Sequence, residues 1–242
     1  MTSSKATCAV VLASAFLLNA EVNARLAAMP DGTSQIQIVN DTDSEVAAFA
    51  IGAIETNKVM EGGRLVVYRD STIDPAAAVI VPHQARSIYE SQKKVMTRER
   101  KETRIAVFQL PIAVAAIFTD GRTTGDPVLL YQLMLRRRNM LQAVEISLEI
   151  LSGAGRRNVP REQLVGQFKK MEQSVDRWYL GAEQQVGRRL YLNMISKLLA
   201  LPEGQLGAAF PPDVFVVEET RALSRQRAML LEAQPALASV RN

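Results

Sequence analysis

Two residue types that supply many catalytic and metal-binding groups are nearly missing from this 242-residue chain, which has one cysteine and one histidine, and tryptophan too occurs only once. With Cys8 as the sole thiol, no disulfide can form within the chain and no zinc-thiolate cluster can be assembled. A zinc site of imidazoles fails for the same reason, since His83 has no second histidine to join it. Aromatic residues make up only 5% of the chain, which leaves a core of Ala, Val, Leu and Ile and few rings on which bases could stack. Nucleotide loops are missing too: there is no Gly-x-Gly-x-x-Gly, and Gly153-Ala154-Gly155-Arg156-Arg157 lacks the Gly-Lys-Ser/Thr ending of a phosphate loop. No cofactor is expected.

What is present begins with an apolar segment. Lys5 precedes Ala6 to Leu18, and small residues at Ala20 and Ala24 follow it. This is the layout of a secretory signal peptide, shorter than the ~20 residues a membrane helix needs. The competing reading is a buried N-terminal helix. Removal of residues 1–24 would take Cys8 with it, and cleavage after Ala20 or after Ala24 both fit the pattern. The mature chain is therefore expected to be exported, to the periplasm or beyond the cell, with no transmembrane segment.

The rest divides near Ile105 to Pro127. Residues 25–126 carry 12 Lys/Arg against 13 Asp/Glu, and residues 127–242 carry 16 against 11, so the net positive charge lies in the second part. Before the seam the pattern is strand-like. Arg25 to Ser34 reads as a leader with a turn at Pro30-Asp31-Gly32. Gln35 to Val39 alternates polar and apolar, and Glu45 to Ile54 follows, with Val46, Ala48 and Ala50 on one face and Ala47, Phe49 and Ile51 on the other. Arg64 to Arg69, Ala78 to Val81 and Ser87 to Tyr89 are further strands. Residues 90–104 fit a short helix, a long hairpin loop or a solvated edge strand equally well. Ile105 to Leu110 and Ile112 to Thr119 read as buried strand, with Pro111 requiring an edge or a bulge.

After Asp126 the period becomes helical. Leu130, Met134, Leu141, Val144, Leu148 and Leu151 make Pro127 to Ser152 a long helix, capped by Asp126 and stopped at Gly153. A second helix starts near Pro160, a third spans Glu183 to Leu201, and Asp213 to Glu232 is read as helix despite the strand-like Val214 to Val217. The expected fold is α+β: a β-sandwich over 25–126, then a bundle of three or four helices over 127–242. Residues 38–46, Ile-Val-Asn-Asp-Thr-Asp-Ser-Glu-Val, resemble the first turn of immunoglobulin-like modules, which implies that type of sandwich.

The candidate chemistry is sparse. His83 with Ser87 matches no nucleophile motif, there being no Gly-x-Ser-x-Gly. The acidic turns Asn40 to Asp43 and Asp120 to Asp126 do not have the spacing of a calcium loop, and turns select Asp, Asn and Gly for their own geometry. Nucleic acid is not an expected partner: Arg156, Arg157, Lys169, Lys170, Arg188 and Arg189 are interspersed with acids, and only Trp178 and Tyr179 accompany them. The strongest charge feature is Arg136-Arg137-Arg138. Successive helical residues point about 100° apart, so they cannot act as one patch. Arg137 falls on the apolar stripe, and it either helps form an anion or partner site between the halves or pairs with an acid such as Asp120 or Asp126. The overall expectation is a non-enzymatic binding module whose partner is another protein or an anionic ligand. The alternative is a hydrolase or transferase using Asp120, Asp126, Glu145 and Glu149.

Overall fold

The computed structural model describes residues 21–28, 34–57, 60–77, 79–90, 93–96, 101–104, 107–157, 159–175, 185–201 and 213–233. The apolar segment with Cys8, the Pro30-Asp31-Gly32 turn, Trp178 and Tyr179, the stretch with Gly204 and Gly207 and the tail from Pro235 lie outside them.

Seven strands form two antiparallel sheets. The first sheet has the order β1 (Val22–Ala28), β2 (Ser34–Asn40) and, across β3 and β4 in sequence, β5 (Ala85–Glu90). The second places β4 (Met60–Asp70) beside β3 (Val46–Asn57), then β8 (Val107–Phe118) and β9 (Thr123–Gly125). Two short strands, β6 (Lys93–Met96) and β7 (Lys101–Arg104), pair with each other, so residues 93–96 and 101–104 of the charged stretch 90–104 are strand, and residues 91–92 and 97–100 lie outside the described residues. Among the described residues four helices follow: α1 (Pro127–Arg157), α2 (Arg161–Ser174), α3 (Gln185–Leu199) and α4 (Asp213–Glu232).

The two faces of β3 and β8 explain the composition of these strands. Phe49, Ile51, Ala116 and Phe118 share a core with Val22, Ile36 and Ile38 of the first sheet. Ala48, Ala50, Ala115 and Ile117 point the other way, onto Leu129 and Leu133 of α1. Both faces are therefore buried, as the nearly continuous apolar run demands. Alanines on the helix side let α1 approach the sheet. The remaining faces of the helices close on one another through residues such as Val144, Leu151, Phe168, Met194, Leu223 and Leu230.

Several expectations need correction. The leader is in part a strand: β1 starts at Val22, which is buried against the sheet core, and pairs along its length with β2. Val46 lies on the face of Phe49 and Ile51, not on that of Ala48. The register slips between Val46 and Ala48, and such a bulge reverses the alternation. The freed Ala47 carbonyl accepts from the Ser71 amide at 3.0 Å and from the Ser71 hydroxyl at 3.0 Å. Of the strand expected over Ala78 to Val81, the described residues 79–81 form none, and Ile80 makes an isolated bridge to Val46. Around Pro111 the expectation of a bulge holds: residues 107–118 form one strand, and the proline falls where the β3–β8 register slips between Gly52 and Ile54, beyond the reach of β9. Thr123 to Gly125, read as turn, forms β9.

The helix after the seam is longer than expected. Gly153 does not end α1, which runs on through Gly155 to Arg157. A single glycine costs a helix only ~1 kcal/mol relative to alanine, less than the burial of Leu151 and Ala154 on either side supplies. Its start is as expected: the Asp126 Oδ1 accepts from the amides of Val128 and Leu129, each at 2.9 Å. No described helix is long and apolar enough to cross a membrane.

Candidate functional site

The residues of the Arg136–Arg138 triplet have three different fates. On α1, Leu129, Leu133 and Arg137 follow at four-residue steps, so the stripe that packs on the sheet carries Arg137 past its edge. There β4 ends at Asp70. Arg137 Nε donates to Asp70 Oδ2 at 2.7 Å and Nη2 donates to Oδ1 at 3.2 Å, a two-point bond between side chains that are 2% and 1% exposed. Asp70 Oδ1 also accepts from the Thr72 amide at 3.0 Å, and Arg137 Nη1 donates to the carbonyl of Ala233 at the end of α4. Burial of two charges is tolerated because each is paired and hydrogen-bonded.

Arg137 thus pairs with an acid, as one of the two readings has it, but the acid is Asp70 and neither Asp120 nor Asp126. Asp126 is occupied as the cap of α1, and Asp120 is held by the Arg122 amide at 3.0 Å and the Arg122 Nε at 2.9 Å. Those bonds, the backbone one foremost, hold the exposed Asp120 carboxyl below the usual aspartate range, and the same pairing raises Arg122. Asp70 gave no sign in the sequence, because it sits in a strand-to-turn segment where an aspartate needs no further reason.

Arg136, one position earlier, lies over the ring of Tyr68 at 4.6 Å from its centroid, and the Tyr68 hydroxyl donates to Gln132 Oε1 at 2.8 Å. Arg138 is exposed. The three residues do not converge on one ligand.

The Arg137–Asp70 pair stands between two clefts. Arg137 lines the larger, about 870 Å³, and Asp70 lines the other, about 690 Å³, while Thr72 and Met229 border both. The larger holds Glu21, Asp120 and Glu232 against Arg122 and Arg137, and both arginines are already engaged with carboxylates. The smaller is different. Arg69, Arg136, Arg189 and Arg225 line it, against Asp70, which Arg137 neutralises, and Asp74, whose Oδ1 accepts from the Ala76 amide at 3.0 Å. Among the described residues, neither Arg189 nor Arg225 has a hydrogen-bond or ion-pair partner, whereas the neighbouring Arg188 is bound to Glu172 at 2.6 Å and Arg227 to Glu145 at 3.1 Å. Size does not select the site here; unspent charge does.

The other sequence candidates are dispersed. His83 has a left-handed backbone, φ +56°, and its Nε2 lies 3.0 Å from Asp43 Oδ1 with both side chains largely exposed. Ser87 donates to Gln35 at 2.8 Å, not to His83. Asn40 turns inward, donating to the carbonyls of Ser44, Ile80 and Val81, so the 40–44 loop is built by backbone satisfaction. Among the described residues no three acids, histidines or cysteines cluster as metal ligands. Glu145 and Glu149 are exposed on α1, away from Asp120 and Asp126, and the four acids do not meet in one cleft. Gly153 to Arg157 is the last stretch of α1, with Arg156 bonded back to Ser152.

No family model matches the chain, and neither curated proteins nor solved structures give a significant match to it.

Proposed function

We propose that this chain is an exported, non-enzymatic binding module, an immunoglobulin-like sandwich followed by a helical bundle, that holds an anionic partner where its strand and helix segments meet. The observation that carries the reading is the cleft in which Arg69, Arg136, Arg189 and Arg225 converge from β4, α1, α3 and α4. Arg189 and Arg225, which have no partner among the described residues, leave positive charge in that cleft for an anionic ligand to balance. Guanidinium is also the group best suited to carboxylate, sulfate or phosphate oxygens. The shared core of the two sheets supports the sandwich, and the signal-like segment supports export. A carboxylate-based hydrolase or transferase has less support, since Asp126 and Asp120 are committed to a helix cap and an arginine pair and Glu145 to Arg227.

The test is a calorimetric titration of the purified protein with inorganic sulfate and with a hexaglutamate peptide, at low and at physiological salt. At least one should bind, more weakly at the higher salt and more weakly still in Arg189→Glu. Binding indifferent to both changes would overturn the reading, as would failure of these two anions and of octyl sulfate alike to bind.

A further inference from the structure

The arginine cleft is only half polar. Its helices present matched stripes to it: Val186, Arg189, Leu190 and Asn193 on α3, and Ala222, Arg225, Gln226 and Met229 on α4, each at three- and four-residue steps. Between the charged positions lie Met140 of α1 with Val186 and Leu190, all buried, and the more exposed Met229. Arg189 and Arg225 are thus each flanked by apolar side chains on their own helices. A volume of about 690 Å³ lies within the ~300–1,000 Å³ typical of small-molecule sites. A folded protein partner instead covers roughly 800 Å² of surface per side, which calls for a flat face more than a hollow.

Resting on the anion-binding reading above, we propose that the occupant is a small amphiphilic anion. Its carboxylate, sulfate or phosphate head would lie against Arg189 and Arg225, the two arginines of this cleft without partners among the described residues, and its apolar body against Met140, Val186, Leu190 and Met229. The arrangement favours such a molecule over a hydrated inorganic ion, which gains nothing from the thioether and aliphatic walls. It also favours it over an acidic peptide, whose repeated charges would have to be stripped of water against those walls.

Calorimetric titration of the purified full chain with four probes separates these cases: octyl sulfate, octyl glucoside with the same tail and a neutral head, inorganic sulfate with the head alone, and hexaglutamate. All are used below micelle formation. Octyl sulfate should bind with one-to-one stoichiometry and at least tenfold more tightly than each of the others. Combined Arg189→Glu and Arg225→Glu should weaken octyl sulfate tenfold or more and leave octyl glucoside within twofold. Both positions are exposed, and an unchanged thermal melt would verify folding; if the melt changes, the single Arg189→Gln and Arg225→Gln variants give the same readout with smaller factors. Inorganic sulfate or hexaglutamate equal to octyl sulfate would overturn the amphiphile while leaving anion binding in place. Octyl sulfate binding unaffected by the substitutions would overturn the assigned cleft. If none of the three anions binds, both readings fall.

Discussion

Arg137 and Asp70, 67 positions apart, form a two-point ion pair inside the protein, and the same guanidinium also reaches the carbonyl of Ala233. One side chain thereby ties α1 to the end of β4 and to the end of α4. Arg137 is among the largest fully buried side chains in the structure, so its energetic role is decided by satisfaction and not by charge count.

Removal of one partner should therefore be far worse than removal of both. Arg137→Met leaves Asp70 buried without its counter-ion and is expected to cost about 3–5 kcal/mol in urea unfolding. Arg137→Met combined with Asp70→Leu should recover most of that loss, because an apolar pair of similar volume needs no solvation. Equal destabilisation by the single and double variants would show that the pair is not what matters at this joint.

Asp126 and Gly125 make the turn into α1 by different means. Asp126→Ala deletes the acceptor for two amides and should cost ~1 kcal/mol. Gly125→Ala should cost more, since its φ is +99° and a Cβ there would stand 2.1 Å from the carbonyl oxygen of Val114. Denaturant midpoints for the two variants rank them directly; the reverse order would place the start of the helix elsewhere.

Asp120 gives a pH signature. Its carboxyl is held low by the Arg122 amide first and by the Arg122 side chain second. With the folded value below the unfolded one, any stabilisation is present above the unfolded value and lost as pH falls through the folded value. In a carbon-detected NMR titration Asp120 should ionise below an ordinary aspartate, and Arg122→Ala should move it only part of the way back. A complete return to the ordinary value would mean that the backbone bond contributes nothing.

If the proposed export holds, β1 limits where the chain would be cut. A cut after Ala24 would remove Val22, Asn23 and Ala24, which pair with Asn40, Val39 and Ile38, and with them the buried Val22 side chain. A cut after Ala20 leaves the strand whole. Intact-mass measurement of protein recovered from the exporting cell should therefore give Glu21 as the first residue. A start at Arg25 would show that the strand can be shortened without loss, and an uncleaved N-terminus would end the export reading.

Much of this architecture is visible in local pattern, because it depends on local rules. The Asp126–Pro127 helix start needs only a capping oxygen and a residue without an amide to satisfy, and Pro111 in an apolar strand needs a bulge wherever the strand lies. The stripe of α1 likewise puts Arg137 inward whatever it packs against.

Partners are another matter. That Arg137 meets Asp70, and not Asp120 or Asp126, depends on β4 ending beside the third turn of α1, a relation between segments 67 residues apart that no short-range rule encodes. The bulge at Ala47 was hidden for a related reason: alternation fits either face until a neighbouring strand sets the register. The arginine cleft is the extreme case. Arg136 stands out in sequence only as part of the triplet, Arg69, Arg189 and Arg225 do not stand out at all, and the four share a cavity because residues of β4, α1, α3 and α4 line it together. Periodicity carries which way a side chain points; the charge it will face is set by long-range packing, and the candidate site here is made of such encounters.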